Sequence, residues 1–339
     1  MSDYPIPATA REVRLVTRPG WGDAVTNETI KTFEVPVERP GDGQMLVRND
    51  WMLLAMAMRD LMSVEPAPDL PMPVYHVGQP PWALTVGAVV ESNIDGFAVG
   101  DVVTHTKGWR EYAVVGADEW PTKQDPGLFP GNQYFLTQGP TAWRGMVEVA
   151  NVGEGDTVFV SGAAGGVGSL AGQIARCRGA KRVIGSAGSQ AKVDFLVNEL
   201  GYTDAFNYND GPVIEHLNRI APEGIDVYFD NVGGDQFEAA LNAAAWNGRL
   251  ALCGQLSGKN PTLDYQPVIF KDLTVRGFTT QYGPEDTANW NRHFSQWLRE
   301  GRIVFHHTVV DGLAAAPEGL ISLINGKTSG TVLVKLSDG

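Results

Sequence analysis

The sequence predicts an α/β protein in which a doubly wound parallel sheet is joined to a second, all-β lobe. Three observations carry this expectation. At Asp156–Gly168 an apolar run, Thr157–Ser161, enters a glycine-rich turn and leaves as a helix. From Arg182 to Phe278 short apolar segments alternate with helical lengths, the pattern of parallel strands with right-handed crossovers. Residues 11–120 read as strands separated by turn residues, and strand character returns in the tail.

The first lobe has strand-like segments at Glu12–Thr17, Gln44–Leu54, Thr85–Ser92, Asp101–His105 and Glu111–Val115. They suggest a barrel or sandwich. The turn Phe97–Asp101 feeds one of these strands, and a near copy, Val152–Asp156, feeds the strand before the glycine turn. Between them Met56–Pro81, rich in Met and Pro with little periodicity, reads as a long irregular loop, either functional or a surface insert. Tyr134–Ala150 reads as a helix linking the lobes, with Thr141 and Trp143 near its start.

Within the turn, Gly162, Gly165, Gly166 and Gly168 precede a helix whose apolar face is Val167, Leu170, Ala171, Ile174 and Ala175. A helix opening directly out of such a turn offers unpaired N–H groups and a positive dipole end to an anion. Glycines let a pyrophosphate approach the backbone, so Ala164, Gly165, Gly166, Val167 and Gly168 are expected to bind a dinucleotide. A tight turn needs glycine in any case. The following segments make the stronger argument: a strand at Arg182–Gly185, a helix carrying Val193, Leu196, Val197 and Leu200 that stops at Gly201, then strands at Asp204–Tyr208, Ile225–Phe229, Arg249–Leu252 and Thr274–Phe278. Asp286–Glu300 closes this domain as a helix. The tail supplies strands at Phe305–Val310 and Thr331–Leu336 around a helix near Pro317–Ile324, and is expected to pack back on the first lobe. The domains are then 1–133, 134–304 and 305–339, the last returning to the first.

Of the 339 residues 43% are hydrophobic, enough for two cores, and the net charge is −13. That charge argues against nucleic acid or an anionic membrane as partner. No run approaches 18 apolar residues, and Met1–Ala10 has no secretory pattern, which points to a cytoplasmic protein. Cys177 and Cys253 are too few for a disulfide framework or a four-cysteine zinc lobe.

With these segments placed, the chain resembles the zinc-independent medium-chain dehydrogenases/reductases, and among them the NADPH-dependent alkenal and enone reductases of the leukotriene B4 dehydrogenase/prostaglandin reductase and curcumin reductase group. The resemblance is dense over Gly162–Gly254. It rests on Ser161–Ala175, Gly185–Lys192, Ala205–Tyr208, Asp226–Gly234, Leu252–Gly254, Arg276–Phe278 and the tail's Asn325-Gly326 with Gly330. It implies a Rossmann-type domain, a GroES-like barrel lobe built from both chain ends, and a homodimer. The zinc members require Cys and His ligands, but the first lobe has no cysteine, and the adjacent His306-His307 would point to opposite faces of a strand. No metal is expected.

An NAD-selective fold places an acidic residue about 20 residues beyond the turn. This chain has Gly185–Ser189 there, without a carboxylate, followed by Lys192 at a helix start. Ser189, Lys192 and the helix N–H groups could take a 2′-phosphate, so the expected cofactor is NADP(H). The resemblance implies the same role for Lys192, with Tyr208 closing the phosphate pocket. It further implies that Asn231, Cys253 and Gly254 line the nicotinamide ribose, that Phe278, Thr279 and Thr280 lie beside the nicotinamide, and that Thr141 and Asn325 reach it from the other side.

Reduction of an activated C=C places negative charge on the conjugated oxygen, so a donor to that oxygen is needed. The resembled reductases carry a tyrosine in a D-P-Y-M-R type segment. Here the segment is Ala55-Met56-Ala57-Met58-Arg59, with alanine at the tyrosine position. A second family tyrosine, near Leu256–Gly258, is also absent. Tyr282, just beyond Phe278–Thr280, is the first candidate to replace the donor, with Tyr75 next and Tyr265 a third. The methionines 52, 56, 58, 62 and 72 with Trp51 and Trp82 suggest a wide pocket for a small apolar carbonyl-containing substrate, or ordinary core. An NADPH-dependent enone or enal reductase leads. A carbonyl, imine or quinone reductase on the same fold, and a non-catalytic NADPH-binding sensor, are the alternatives.

Overall fold

The computed structural model describes residues 5–20, 23–66, 70–279 and 283–337. The chain divides into two compact units, Met1–Thr137 with His307–Gly339, and Gln138–His306.

In the first unit Gln44–Leu54 is the organising strand. It pairs antiparallel with Thr85–Ser92, with Tyr112–Gly116 and with the tail strand Thr331–Lys335. The tail strand itself pairs parallel with His307–Asp311. The β lobe is therefore built from both chain ends. Val102–His105 and Thr122–Gln124 extend the sheet, while Thr9–Leu15 and Ile30–Pro36 form a separate antiparallel pair. Ile30–Pro36 has no buried–exposed alternation to mark it in the sequence, because all but Ile30 and Val35 are exposed.

The Met/Pro-rich stretch contains a short helix, Ala57–Met62, which buries Met58, Leu61 and Met62. Together with Met52 these residues belong to one core cluster with Leu15, Leu54, Trp109 and Leu320, and Met72 and Trp82 pack against it. Met52, Met58 and Met62 are thus core, as soft fillers of irregular space, with Met72 packed against them.

The second unit carries six parallel strands in the spatial order Asp204–Asn207, Arg182–Ala187, Thr157–Val160, Ile225–Asp230, Ala244–Leu252, Thr274–Gly277. In order along the chain that is 3-2-1-4-5-6, the doubly wound arrangement whose crevice opens where the order reverses. Here the reversal lies between Thr157–Val160 and Ile225–Asp230. Helices Gly166–Cys177, Gln190–Asn198, Val213–Ile220 and Gly234–Ala243 connect the strands, and Pro284–Arg299 follows the last one.

The segment expected as one helix over Tyr134–Ala150 is divided. A 3₁₀ turn covers Asn132–Phe135, an α-helix Gly139–Trp143 and a π-helix Arg144–Val149, whose widened turn shows in the bond from Ala150 N to Gly145 O. Helix Tyr265–Phe270 was not foreseen. It is short and its apolar residues are not confined to one buried face, so no helical period marks it. Among the described residues no helix is long and apolar enough to cross a membrane.

Candidate functional site: a dinucleotide crevice

The crevice is built from the carboxyl ends of the second unit's strands. After Thr157–Val160 the chain turns at Gly162, whose φ of +58° is a left-handed conformation that favours glycine. Helix Gly166–Cys177 begins four residues later behind Gly165, and no side chain caps it. Its first N–H groups are therefore free for an anion, at the positive end of the helix dipole. Gly168 lies against the turn itself: a Cβ there would stand 2.5 Å from Gly162 O and 2.7 Å from Ala163 Cα. At Gly165 a Cβ would meet only Gly162 O, at an ordinary contact distance of 3.5 Å, so no protein atom crowds that position. The donor set and the open cradle fit a dinucleotide pyrophosphate. Gly165 is exposed and Val167 half-buried, whereas Ala164 is buried and backs the turn.

On one side of this turn strand Arg182–Ala187 ends at Gly188. Ser189 caps helix Gln190–Asn198, its hydroxyl accepting from Lys192 N. Lys192 is half-buried, and desolvation lowers the pKa of its ammonium. The Tyr208 hydroxyl lies so close over Gly188 that a Cβ there would come within 2.6 Å of it. Asn209 Nδ2 donates to Gly188 O at 3.1 Å and holds that loop, a contribution the sequence reading missed. No carboxylate stands at Gly185–Ser189, and the half-exposed Tyr208 leaves its phenol accessible.

On the other side Ile225–Asp230 leads into Asn231 and a double-glycine turn. Asn231 is buried; its N–H donates to Ser161 Oγ at 2.9 Å and its Nδ2 to Ser161 O at 2.7 Å. The next strand ends at Cys253 and Gly254, whose N–H groups both donate to Asp230 O. Burial and the charge of Asp230 push the Cys253 thiol up to about 12, so it is unreactive at neutral pH. Phe278 meets Phe229 edge to face at 6.0 Å, and Arg144 Nη1 donates to Thr279 O at 3.1 Å. Thr141 is buried in helix Gly139–Trp143.

Most of the residues singled out for the cofactor thus stand along one edge of one sheet. Asn325 belongs to the first unit, as the exposed residue closing helix Ala316–Ile324. Thr280 and Tyr282 lie outside the described residues. Tyr75 is 2% exposed in the core of the first unit, and its hydroxyl donates to Trp82 O at 2.9 Å. Burial raises its pKa strongly. Tyr265 is 66% exposed at the start of its helix. His306 packs on Phe195 in the second unit while His307 meets Tyr134 in the first. Among the described residues no group of three or more His, Cys, Asp or Glu is placed to hold a metal ion.

Residues 166–297 match the family model described as zinc-binding dehydrogenase, and residues 11–122 match the N-terminal domain of oxidoreductase. The NADPH-dependent curcumin reductase of Escherichia coli is 31% identical over 91% of this chain and 92% of its own length. Prostaglandin reductase 1 of Bos taurus is 33% identical over 90% of this chain and 93% of its own. The crystal structure of CurA from Vibrio vulnificus in complex with NADPH superposes with a TM-score of 0.87 at 29% identity, covering 97% of this chain and all of that one.

Proposed function

We propose, from the premise that the chain belongs to the medium-chain dehydrogenase/reductase superfamily with the curcumin and prostaglandin reductases, that it reduces the conjugated C=C bond of α,β-unsaturated ketones or aldehydes. It is an oxidoreductase of the NADP(H)-dependent type. The observation that carries the cofactor is the end of strand Arg182–Ala187. A serine-capped helix with Lys192 in its first turn and no acidic residue suits a 2′-phosphate, which a carboxylate at this place would repel.

Bound in the crevice, the cofactor supplies a hydride to the substrate's β-carbon. The chain's own part is to orient it. Gly162–Gly168 takes the pyrophosphate, Ser189, Lys192 and Tyr208 the 2′-phosphate, and Asn231 with Cys253 and Gly254 the nicotinamide ribose. Phe278, Thr279 and Thr280 border the ring. Positioning of this kind is a large part of the rate. Charge developing on the conjugated oxygen needs a donor, and Tyr282 is the residue proposed for it. A second reading, reduction of an isolated carbonyl, imine or quinone, draws on Ala57 at the family's tyrosine position and on the Tyr75 hydroxyl being committed to Trp82.

NADPH oxidation by the purified protein, measured over enals, enones, saturated ketones and quinones with product analysis, separates these readings. Turnover of enones to saturated ketones supports the first. Alcohol or quinol products alone would replace it with the second.

The proposed assembly is a homodimer. Strand Thr274–Gly277 is a sheet edge with Thr274, Arg276 and Gly277 exposed, and Leu263, Tyr265, Ile269 and Phe270 beside it in the chain are all more than half exposed. A bare edge next to apolar surface is a pairing site, and a second copy would cover both. Light scattering of the purified protein tests this.

A further inference from the structure

We infer that Asp230 is an electrostatic specificity determinant for the oxidation state of the bound nicotinamide, favouring the cationic NADP⁺ over neutral NADPH. The inference rests on NADP(H) occupying the crevice described above, but not on which substrate is reduced.

Asp230 ends the strand at the point where the sheet order reverses, and it is 2% exposed. One carboxylate oxygen, Oδ1, accepts four hydrogen bonds: from Tyr228 Oη at 2.7 Å, Ser161 Oγ at 3.0 Å, Val232 N at 2.9 Å and Gly233 N at 2.8 Å. All four partners are donors, the pattern that stabilises an ionised carboxylate. Among the described residues no cationic side chain forms an ion pair with it. Hydrogen bonds hold the charge in place without cancelling it as a counter-ion would, so a positive charge developing nearby in this low-dielectric surrounding is attracted to it.

The fold indicates where that charge comes from. The 2′-phosphate side of a dinucleotide lies at the end of the second strand, and the pyrophosphate lies over the glycine turn. The other half of the molecule then falls on the opposite side of the reversal, where Asp230, Cys253 and Gly254 end their strands. The field of Asp230 acts in this direction, since it contributes to raising the Cys253 thiol. A dihydronicotinamide is neutral. When its C4–H bond breaks and the hydride, with both bonding electrons, joins the substrate carbon, the ring that remains carries one positive charge. A fixed negative charge nearby favours the product side of that change, and the transition state in proportion.

The test is the affinity of the whole protein for NADP⁺ and for NADPH, by equilibrium titration of wild type and Asp230→Asn. The variant should weaken NADP⁺ by on the order of tenfold more than NADPH, the scale of one ion pair in partly screened surroundings. Equal losses for both forms would mean that Asp230 only holds the loops, and equal affinities to wild type would mean that it does nothing; either overturns the inference. If Asp230→Asn does not fold, Tyr228→Phe decides. It keeps the ring and takes one donor from the carboxylate, leaving its charge less neutralised by hydrogen bonds. NADP⁺ must then gain on NADPH by roughly twofold or more, and no gain overturns the inference. A protein that reduces no enone yet shows these shifts would refute the enone reading and leave Asp230's role standing.

Discussion

The phenol of Tyr75 donates its hydrogen bond to the backbone oxygen of Trp82 at 2.9 Å, and the two rings meet edge to face with centroids 5.6 Å apart. Trp82 in turn donates through its indole to Pro73 O at 2.8 Å. The pair pins the Met/Pro-rich segment to the barrel core. Tyr75→Phe should therefore cost about 1 kcal/mol of stability, the net worth of one buried hydrogen bond, and leave kcat within about twofold of wild type. Denaturant titration and steady-state kinetics check the two halves. A large fall in kcat without loss of stability would return Tyr75 to the list of proton donors.

Tyr282 carries the opposite expectation. An oxyanion formed in an apolar pocket loses roughly 10²–10³ in kcat when one donor is removed. Its place in the chain, four residues beyond Phe278, puts it near the segment assigned to the nicotinamide. Tyr282→Phe should lower kcat on an enone at least about tenfold with little change in NADPH affinity, because the phenol acts on charge that develops only in the transition state. Unchanged kcat would make it a packing residue.

Cofactor selection turns on Lys192. Replacing it with alanine should weaken NADPH by about 1–3 kcal/mol, the range of a hydrogen bond to a charged group, and leave NADH nearly unchanged. Equal losses for the two cofactors would remove Lys192 from the 2′-phosphate pocket.

Gly168 tests the turn. The atoms that its added Cβ would meet, at 2.5 and 2.7 Å, are backbone atoms of Gly162 and Ala163, which cannot swing aside as a side chain could. Gly168→Ala should thus lower stability by about 1–3 kcal/mol, as overpacking does, although the same change in an unobstructed helix is stabilising. NADPH affinity should fall with it, since the clash displaces the turn that takes the pyrophosphate. The shift of the denaturation midpoint and a NADPH titration measure both.

A pH dependence comes from His105, 3% exposed in the first lobe. Its Nδ1 accepts from Lys107 N and its Nε2 meets Asn49 Oδ1, so the neutral ring is the one that fits. Burial, assisted by the positive charges of Arg110 and Lys107, holds its pKa down at about 3. The unfolded chain takes up a proton near pH 6.5, whereas the folded protein does not until about pH 3. Between those values unfolding is coupled to proton uptake, so stability falls as the pH is lowered, by up to about 1.4 kcal/mol per unit. Above about pH 6.5 this contribution is flat. Denaturation at pH 7, 6 and 5 should show a shallower decline for His105→Gln than for wild type; parallel curves would contradict the assignment.

The dinucleotide domain was legible because its signals are local. Thr157–Ser161 carries a strand's composition, Gly162–Gly168 a turn that tolerates few side chains, and Val167–Ala175 a helical period, all within twenty residues. A residue whose partners are distant leaves weaker marks. Asp230 reads only as the polar end of an apolar strand, yet its carboxylate is bound to Ser161, 69 positions away. Asn209, which holds Gly188, gives no sign of doing so. The strand Ile30–Pro36 buries only Ile30 and the helix Tyr265–Phe270 fully buries no side chain, so neither shows the contrast between a buried and a solvated face that hydropathy reads.

By itself the sequence determined the six strands of the dinucleotide domain in their order, the glycine turn with its anion-binding helix start, the missing acidic residue that separates a phosphate-binding ribose site from a hydroxyl-binding one, and the missing tyrosine at Ala57. These properties depend on neighbours within a few turns of chain. Only the tertiary structure decided that Met52, Met58 and Met62 are core, that the Tyr75 hydroxyl is committed to Trp82, and that Asp230 sits as a buried negative charge satisfied by four donors. Burial and hydrogen-bond satisfaction are properties of what the fold brings together, and a side chain's type does not state whether its partner is water, backbone or ligand.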